Sequence, residues 1–196
     1  RARKWGQFAS AAIFVAALGW VSSYPKLFAE EDPKIHYKAE LYRCIGRALY
    51  EEGKNEEALS YLQTALQMHP EFVDALNETS LALAKLGRTD EAFAYATNAV
   101  AKSPFDVALT YNLGLLYVQK GQLTEAENSF RAAVDLDSRH FLSRANLGAC
   151  LLDQGKYDEA IEVLRVVQRL RPDDAKVAAL LDQARALRRA GMKAKP

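Results

Sequence analysis

The chain has 196 residues, of which 49% are hydrophobic and 26% are charged, and its formal net charge is +1. This composition excludes a disordered chain, a collagen-like chain and a polybasic nucleic-acid-binding protein. The near-neutral total conceals an asymmetry, because residues 39–164 carry 11 basic and 19 acidic side chains whereas residues 165–196 carry 9 basic and 3 acidic ones. We therefore expect a folded chain with an acidic middle and a basic C-terminal end.

Residues 5–24 have the pattern of a membrane span. They include no charged side chain, and a basic flank of residues 1–4 precedes them. Twenty helical residues cover about 30 Å, the thickness of the hydrocarbon core of a bilayer, and Trp5, Trp20 and Tyr24 stand where interfacial aromatic residues are common. The pattern predicts one transmembrane helix. A cleavable signal peptide is the alternative, although no clear small-x-small cleavage site follows the run.

Small residues recur along this run at spacings of three and four, which places them in one stripe on a helix. Such a stripe lets a second membrane helix approach closely, so it predicts packing against a transmembrane helix of a partner. The alternative is a chance pattern in an alanine-rich sequence. The stripe consists of Ala9, Ala12, Ala16, Gly19 and Ser23.

The charges that flank the run predict its orientation. Basic residues precede it and the acidic residues 30–32 follow it, which favours an N-terminus in the cytoplasm or matrix. The rest of the chain would then lie in the periplasm or the mitochondrial intermembrane space. A mitochondrial outer-membrane anchor, with the remainder in the cytosol, is the alternative.

After a linker of residues 25–38, in which Asp32 and Pro33 predict an early helix start, a 34-residue repeat begins. Its columns hold a glycine, then an alanine preceded by a glutamate, and then a proline that Ser138 replaces once. The members are Gly53, Gly87, Gly121 and Gly155; Ala58, Ala92, Ala126 and Ala160; and Pro70, Pro104 and Pro172. Four copies in one phase predict four similar structural units.

Each unit is predicted to be a hairpin of two helices. The repeated glycine stands where a first helix ends in left-handed geometry, and small residues seven positions earlier allow the helices to approach closely. Large apolar residues such as Leu62, Phe130 and Leu164 are predicted to fill the seam. N-caps of the second helices are predicted at Asn55, Thr89, Thr124 and Asp158.

These columns resemble the tetratricopeptide repeat, in motifs such as Leu113-Gly114 and Gly155-Lys156-Tyr157-Asp158-Glu159-Ala160. The resemblance implies an all-α, right-handed α-solenoid with repeats at 39–72, 73–106, 107–140 and 141–172. The second repeat departs most, with Thr79-Ser80 for Leu-Gly and Ala96 for the large residue, so looser packing is expected there. A capping helix over 173–191, started by Asp173 or Asp174 and ended by Gly191, and a basic tail of 192–196 should complete the chain.

The resemblance also implies a concave groove lined by the first helix of each pair, polar in the early repeats and apolar in the later ones. Asn112 and Asn146 could hydrogen-bond an extended peptide there, or they could bond within their own repeat. The clamp that grips chaperone C-termini is incomplete, because Glu78, Ala108 and Asn112 occupy its other positions. The candidate partner-binding residues are Arg43, Arg47, Asn77, Tyr111, Asn112, Leu115 and Asn146.

A basic patch near the C-terminus predicts contact with an acidic partner or with lipid headgroups, the alternative being a solvated helix face. Its members are Arg165, Arg169, Arg185, Arg188 and Arg189. The two cysteines, Cys44 and Cys150, have no metal or redox spacing and are predicted to be small buried side chains without a disulfide.

The sequence contains no catalytic motif and predicts a protein that is not an enzyme, with no cofactor, metal, nucleic acid or small-molecule substrate. Two functions remain. The first is a membrane-anchored scaffold or assembly subunit of an integral-membrane complex. The second is a receptor or chaperone-like binder of transient peptide clients near a protein translocase.

Overall fold

In the computed structural model, which describes residues 33–193, the chain is all-α and its described part contains nine helices and no strand. Turns of three or four residues join them. The helices are α1 (Pro33–Glu51), α2 (Asn55–Met68), α3 (Val73–Lys85), α4 (Thr89–Lys102), α5 (Val107–Gln119), α6 (Leu123–Leu136), α7 (Phe141–Asp153), α8 (Tyr157–Leu170) and α9 (Ala175–Lys193).

The helices form four hairpins, α1–α2, α3–α4, α5–α6 and α7–α8, each packed on the next, and α9 closes the row against α8 and α7. α1 begins at Pro33, six residues before the first repeat position at Ala39. Contacts are mainly between neighbouring helices, as expected of stacked repeats that bury their apolar faces against one another.

The loop glycines have the predicted left-handed backbone, with φ between 71° and 81°. The predicted N-caps are wrong, because α2 and α4 already include Asn55 and Thr89 and the residues that cap them make no side-chain cap bond. The glycine reverses the chain in fewer residues than we predicted. The N–H of Lys54 bonds the carbonyl of Leu49 at 2.9 Å, so the residue just after Gly53 already serves as the cap.

The predicted seam between the helices of a unit is confirmed in three units. A Cβ on Gly46, Gly114 or Gly148 would lie within 2.7 Å of Leu62, Phe130 or Leu164, and these three large side chains are fully buried. In the second unit the equivalent residues, Ser80 and Ala96, are also buried. There, however, the hydroxyls of Thr79 and Ser80 lack a hydrogen-bond partner among the described residues.

The capping helix α9 buries Val177, Leu181 and Ala184 against the last hairpin. Asp174 begins it, since one carboxylate oxygen accepts the N–H groups of Lys176 and Val177 at 3.0 and 3.2 Å. Gly191 does not end it, contrary to the prediction, because the helix continues to Lys193. A single glycine inside a helix costs only about 1 kcal/mol, which neighbouring residues can offset.

The predicted membrane span, its small-residue stripe (Ala9, Ala12, Ala16, Gly19 and Ser23) and its flanks lie outside the described residues. Within residues 33–193, no helix is both long enough and apolar enough to cross a membrane. Both cysteines are free there, and Cys150 is buried as predicted. The prediction for Cys44 is wrong, because it lies exposed on α1, the first described helix.

Candidate protein-binding groove

The first helices of the hairpins form the inner surface of the solenoid. α1 contacts α3, α3 contacts α5, and α7 contacts α9, whereas in the described range no second helix makes a comparable contact with the next second helix. Because the first helices lie closer together, the surface that they line is concave. We call this surface the inner groove.

A ladder of three side-chain contacts runs along the inner groove from the first repeat to the fourth, and each contact joins residues 35 positions apart. Arg43 donates to Glu78 at 2.7 Å, the amide of Asn112 donates to the amide oxygen of Asn77 at 2.9 Å, and Asn146 donates to the hydroxyl of Tyr111 at 3.3 Å. Each rung joins the fifth residue of one repeat to the sixth residue of the next. The ladder therefore fixes the spacing of neighbouring inner helices.

The first rung is ionic and partly buried. Arg43 also binds Glu40, and its guanidinium lies 5.6 Å from the centre of the Phe72 ring. The hydrogen bond from Arg43 lowers the pKa of Glu40, whereas burial raises the pKa of Glu78 in spite of the same guanidinium. The second carboxylate oxygen of Glu78 is buried without a hydrogen-bond partner among the described residues. This rung therefore contains a partly buried carboxylate with only one oxygen hydrogen-bonded by the described residues.

The side-chain nitrogens of Asn112 and Asn146 are both engaged within the protein. Asn146 donates to the Leu142 carbonyl of its own helix at 3.0 Å as well as to Tyr111. The amide nitrogen of each asparagine thus has a partner within the protein, but the partner of Asn112 is in the preceding repeat, and only Asn146 also bonds within its own repeat.

The C-terminal half of the inner groove is apolar. Val118 and Leu142 are about 40% exposed, and Leu115 and Ala145 are half-buried beside them. Leu152, near the other end of the same helix as Leu142, is buried. It lies in the core cluster that includes the buried side chains of α9, so the cap removes this position from the groove.

Not every predicted binding residue is free to bind. Arg47 is exposed and bonds Glu51 on its own helix at 3.1 Å. In the basic patch, Arg165, Arg185 and Arg188 pair with Glu162, Asp182 and Asp158 at 2.7 to 3.2 Å. Arg169 and Arg189 are exposed, and no carboxylate of the described residues lies within ion-pair distance of either.

Sequence reasoning missed the role of Glu78, which it treated only as a departure from a known clamp. The available signal was the 35-residue offset: the fifth column read against the next repeat's sixth column pairs Arg43 with Glu78. In the part of the chain that the structure describes, no three His, Cys, Asp or Glu side chains cluster closely enough to hold a metal ion.

Comparison with known proteins agrees with this architecture. The sequence model of the family described as Tetratricopeptide repeat matches residues 45–107 and 111–175. BBSome complex member BBS4 of Mus musculus is 25% identical over 130 residues, or 66% of this chain and 25% of the relative. Tetratricopeptide repeat protein 8 of Caenorhabditis elegans is 31% identical over 146 residues, or 74% of this chain and 29% of the relative. The chain thus spans about a quarter of the length of these curated relatives.

A solved structure of pilF from Pseudomonas aeruginosa superposes with a TM-score of 0.73 at 20% identity, covering 80% of this chain and 72% of that one. At this identity the likeness concerns the fold. Stacked helical hairpins with a shared inner surface define the class of helical-repeat solenoids. Within that class, the chain belongs to the tetratricopeptide repeat family.

Proposed function

We propose that the chain is a non-catalytic protein–protein interaction scaffold that binds a partner in the inner groove. The observation that carries this proposal is the apolar half of that groove, where Val118 and Leu142 remain about 40% exposed beside small alanines. Burying such residues against a partner is favourable by roughly 25 cal/mol per Å² of apolar surface. Membership of a multisubunit complex is also stated in the name of the relative BBS4.

The finer proposal is that the partner belongs to an integral-membrane complex, to which residues 5–24 anchor the chain as a single-pass span. The orientation follows from the flanking charges, with the solenoid in the periplasm or the mitochondrial intermembrane space, and the outer-membrane arrangement as the alternative. Protease protection in native membranes tests this orientation, because a solenoid on the far side of the membrane resists added protease until the membrane is opened.

Affinity capture of the full chain from native membranes, followed by mass spectrometry, tests the scaffold itself. Val118→Glu places a charge in the inner groove at an exposed position, and Tyr61→Glu places one on the exposed surface of a second helix as the matched control. We expect a stoichiometric partner that Val118→Glu loses and Tyr61→Glu retains. Equal recovery with both variants would remove the groove as the binding site.

The same experiment separates the scaffold from a receptor for transient peptide clients. A receptor would return many weakly held chains, and Asn112→Ala combined with Asn146→Ala would weaken them if these amides bind peptide backbone. Since both amide nitrogens already bond within the protein, we expect this double variant to retain its partner.

A further inference from the structure

Exposed apolar side chains gather at one edge of the solenoid. This edge, here called the turn edge, consists of the turns 69–72, 103–106, 137–140 and 171–174, the helix ends beside them and the start of α1. The exposed fractions on it are 82% for Phe105, 71% for Tyr37, 50% for Leu170 and 39% for Leu136. Apart from Leu86 and the glycines, the loops of the opposite edge carry polar side chains: Glu52, Lys54, Arg88, Lys120, Gln122, Gln154 and Lys156.

Close contacts join successive members of the turn edge into one surface. Glu71 forms an ion pair with Lys102, the rings of Tyr111 and His140 lie 5.3 Å apart, and the guanidinium of Arg171 lies 4.0 Å above the ring of Phe141. The exposed apolar residues therefore lie along a single edge of the molecule.

The repeats show that folding does not require these apolar residues. The positions of the Glu71–Lys102 ion pair, 31 residues apart, are held one repeat later by Phe105 and Leu136. One repeat further on they are held by Arg139 and Leu170. Because a charged pair occupies the equivalent positions in an earlier repeat, packing of the solenoid does not require the exposed Phe105, Leu136 and Leu170. Exposed apolar residues that form a contiguous patch are typical of a contact surface.

Arginines accompany the apolar residues. Arg139, Arg169 and Arg171 are exposed, and the described residues place no carboxylate within ion-pair distance of them. Of the aspartates on the turn edge, Asp106 and Asp174 cap helices, Asp137 accepts the N–H of Arg139 at 2.8 Å, and Asp173 is exposed. Apolar side chains interspersed with arginines match the boundary between acyl chains and phosphate headgroups.

The chain enters the solenoid at this same edge. His36, in the first turn of α1, lies 5.6 Å from His69 and 6.0 Å from Phe72, ring centre to ring centre. The six extra residues of α1 extend it by about 9 Å beyond the level at which the other first helices begin. The predicted membrane span ends at Tyr24, and the eight residues 25–32 can reach at most about 28 Å. A span in this position therefore keeps the turn edge within about 37 Å of the bilayer.

We propose that the turn edge rests on the lipid bilayer, with Phe105, Leu136 and Leu170 inserted among the headgroups and Arg139, Arg169 and Arg171 against lipid phosphates. This inference rests on the membrane anchor proposed above. It assigns the solenoid a fixed orientation, in which the loops of the opposite edge point away from the membrane and the inner groove opens along its surface.

Fluorescence quenching in vesicles of phosphatidylcholine and phosphatidylglycerol tests the proposal on the full chain. An environment-sensitive dye is attached at Phe105→Cys, or at Gln122→Cys on the opposite edge as the matched control, with Cys44→Ser in both and Cys150 left in place because it is buried. The only tryptophans, Trp5 and Trp20, report the N-terminal run in the same sample. Lipids with a spin label near the headgroup serve as the quencher.

We expect quenching of the tryptophans and of the dye at position 105, at least twofold stronger than quenching at position 122. Quenched tryptophans with equal dye quenching at both positions would overturn the bilayer contact while leaving the anchor intact. A dye at position 105 that reports an apolar environment without lipid quenching indicates a protein partner or a second copy on this edge and also overturns the proposal. Unquenched tryptophans would overturn the anchor and this inference with it.

Discussion

At the residue scale, a few side chains set how closely the helices approach. A Cβ on Gly114 would lie 2.6 Å from the Phe130 ring, and one on Gly148 would lie 2.6 Å from Leu164. These glycines are needed for their small volume, whereas the loop glycines are needed for their positive φ. In the second unit the equivalent residues are Ser80 and Ala96. Two small side chains therefore face each other there, where the other units pair a glycine with a large side chain.

Gly114→Ala should therefore destabilise the protein by about 1–3 kcal/mol, because the buried phenyl ring has to move. Ser80→Ala is the matched control at the equivalent position. It removes a buried hydroxyl that lacks a partner among the described residues and should change stability little. Urea unfolding followed by circular dichroism measures both, and equal losses would show that the seam does not depend on the glycine.

Glu127 is a buried carboxylate that connects α6 to the turn between α7 and α8. Its oxygens accept from Arg131 on the same helix, from Lys156 at 2.7 Å and from Gln154 at 3.0 Å. Burial alone would raise its pKa, but these hydrogen bonds outweigh burial and hold the pKa below the ordinary value of 4.5. Ionised Glu127 therefore stabilises the fold above pH 4.5, and this contribution is lost as the pH falls through the folded-state pKa.

Glu127→Gln should cost about 1–3 kcal/mol at pH 7, with the difference from the unmodified chain shrinking as the pH falls below 4.5. Glu125→Gln, at an exposed position on the same helix, serves as the control and should have little effect at any pH. Melting temperatures from pH 7 to pH 3 give the comparison. A Glu127→Gln difference that stayed constant across this range would exclude the charge as its cause.

At the element scale, the turns decide where helices begin. The second helices start immediately after the glycine reversal, and the residues that cap them make no side-chain bond. Two of the four-residue turns cap the following helix with a side chain. Asp106 accepts two backbone N–H groups at the start of α5, and Asp174 accepts two at the start of α9. Among the described turns, capping by an aspartate thus occurs only at turns of four residues.

Asp174→Ala should lower stability by about 1 kcal/mol, since it leaves two N–H groups at the start of α9 without their acceptor. Asp173→Ala is the matched control, because Asp173 is the adjacent exposed aspartate and the carboxylate that accepts these N–H groups belongs to Asp174. Thermal unfolding of the two variants measures the difference. Equal effects would assign the start of α9 to packing rather than to the cap.

At the scale of the whole molecule, each hairpin contacts mainly its neighbours, so stability should be transmitted along the row rather than shared by a single core. The buried residues fall into separate clusters, one of which joins α6, α7, α8 and α9. A destabilising substitution in the capping helix α9 should therefore lower the stability of the neighbouring hairpin more than that of distant ones.

Leu181→Ala, at a fully buried position in α9, should cost about 2–5 kcal/mol. Amide hydrogen exchange should accelerate strongly in α7 and α8 and little in α1 and α2. Leu187→Ala, in the same helix but 37% exposed, should leave exchange nearly unchanged. Uniform acceleration in all hairpins with Leu181→Ala would show that the solenoid unfolds as one cooperative unit.

The sequence alone determined the repeat, the helix class, the loop glycines and the pairing of small with large residues at the seam. These features can be predicted from sequence because they depend on neighbouring residues or recur every 34 residues. Gly53 in a loop and Gly114 at the seam are examples. It misplaced the second-helix caps and the burial of Cys44. A cap depends on turn geometry, and burial depends on whether another unit lies against that face.

Only the tertiary structure decided which groove residues are already engaged. The Arg43–Glu78 contact and the amide contacts of Asn112 and Asn146 join helices of neighbouring units, so no single repeat contains them. The structure likewise brought Phe105, Leu136 and Leu170 to the edge at which α1 begins. Their position relative to the chain's entry depends on how the units stack, because residues far apart in sequence meet only when the helices pack.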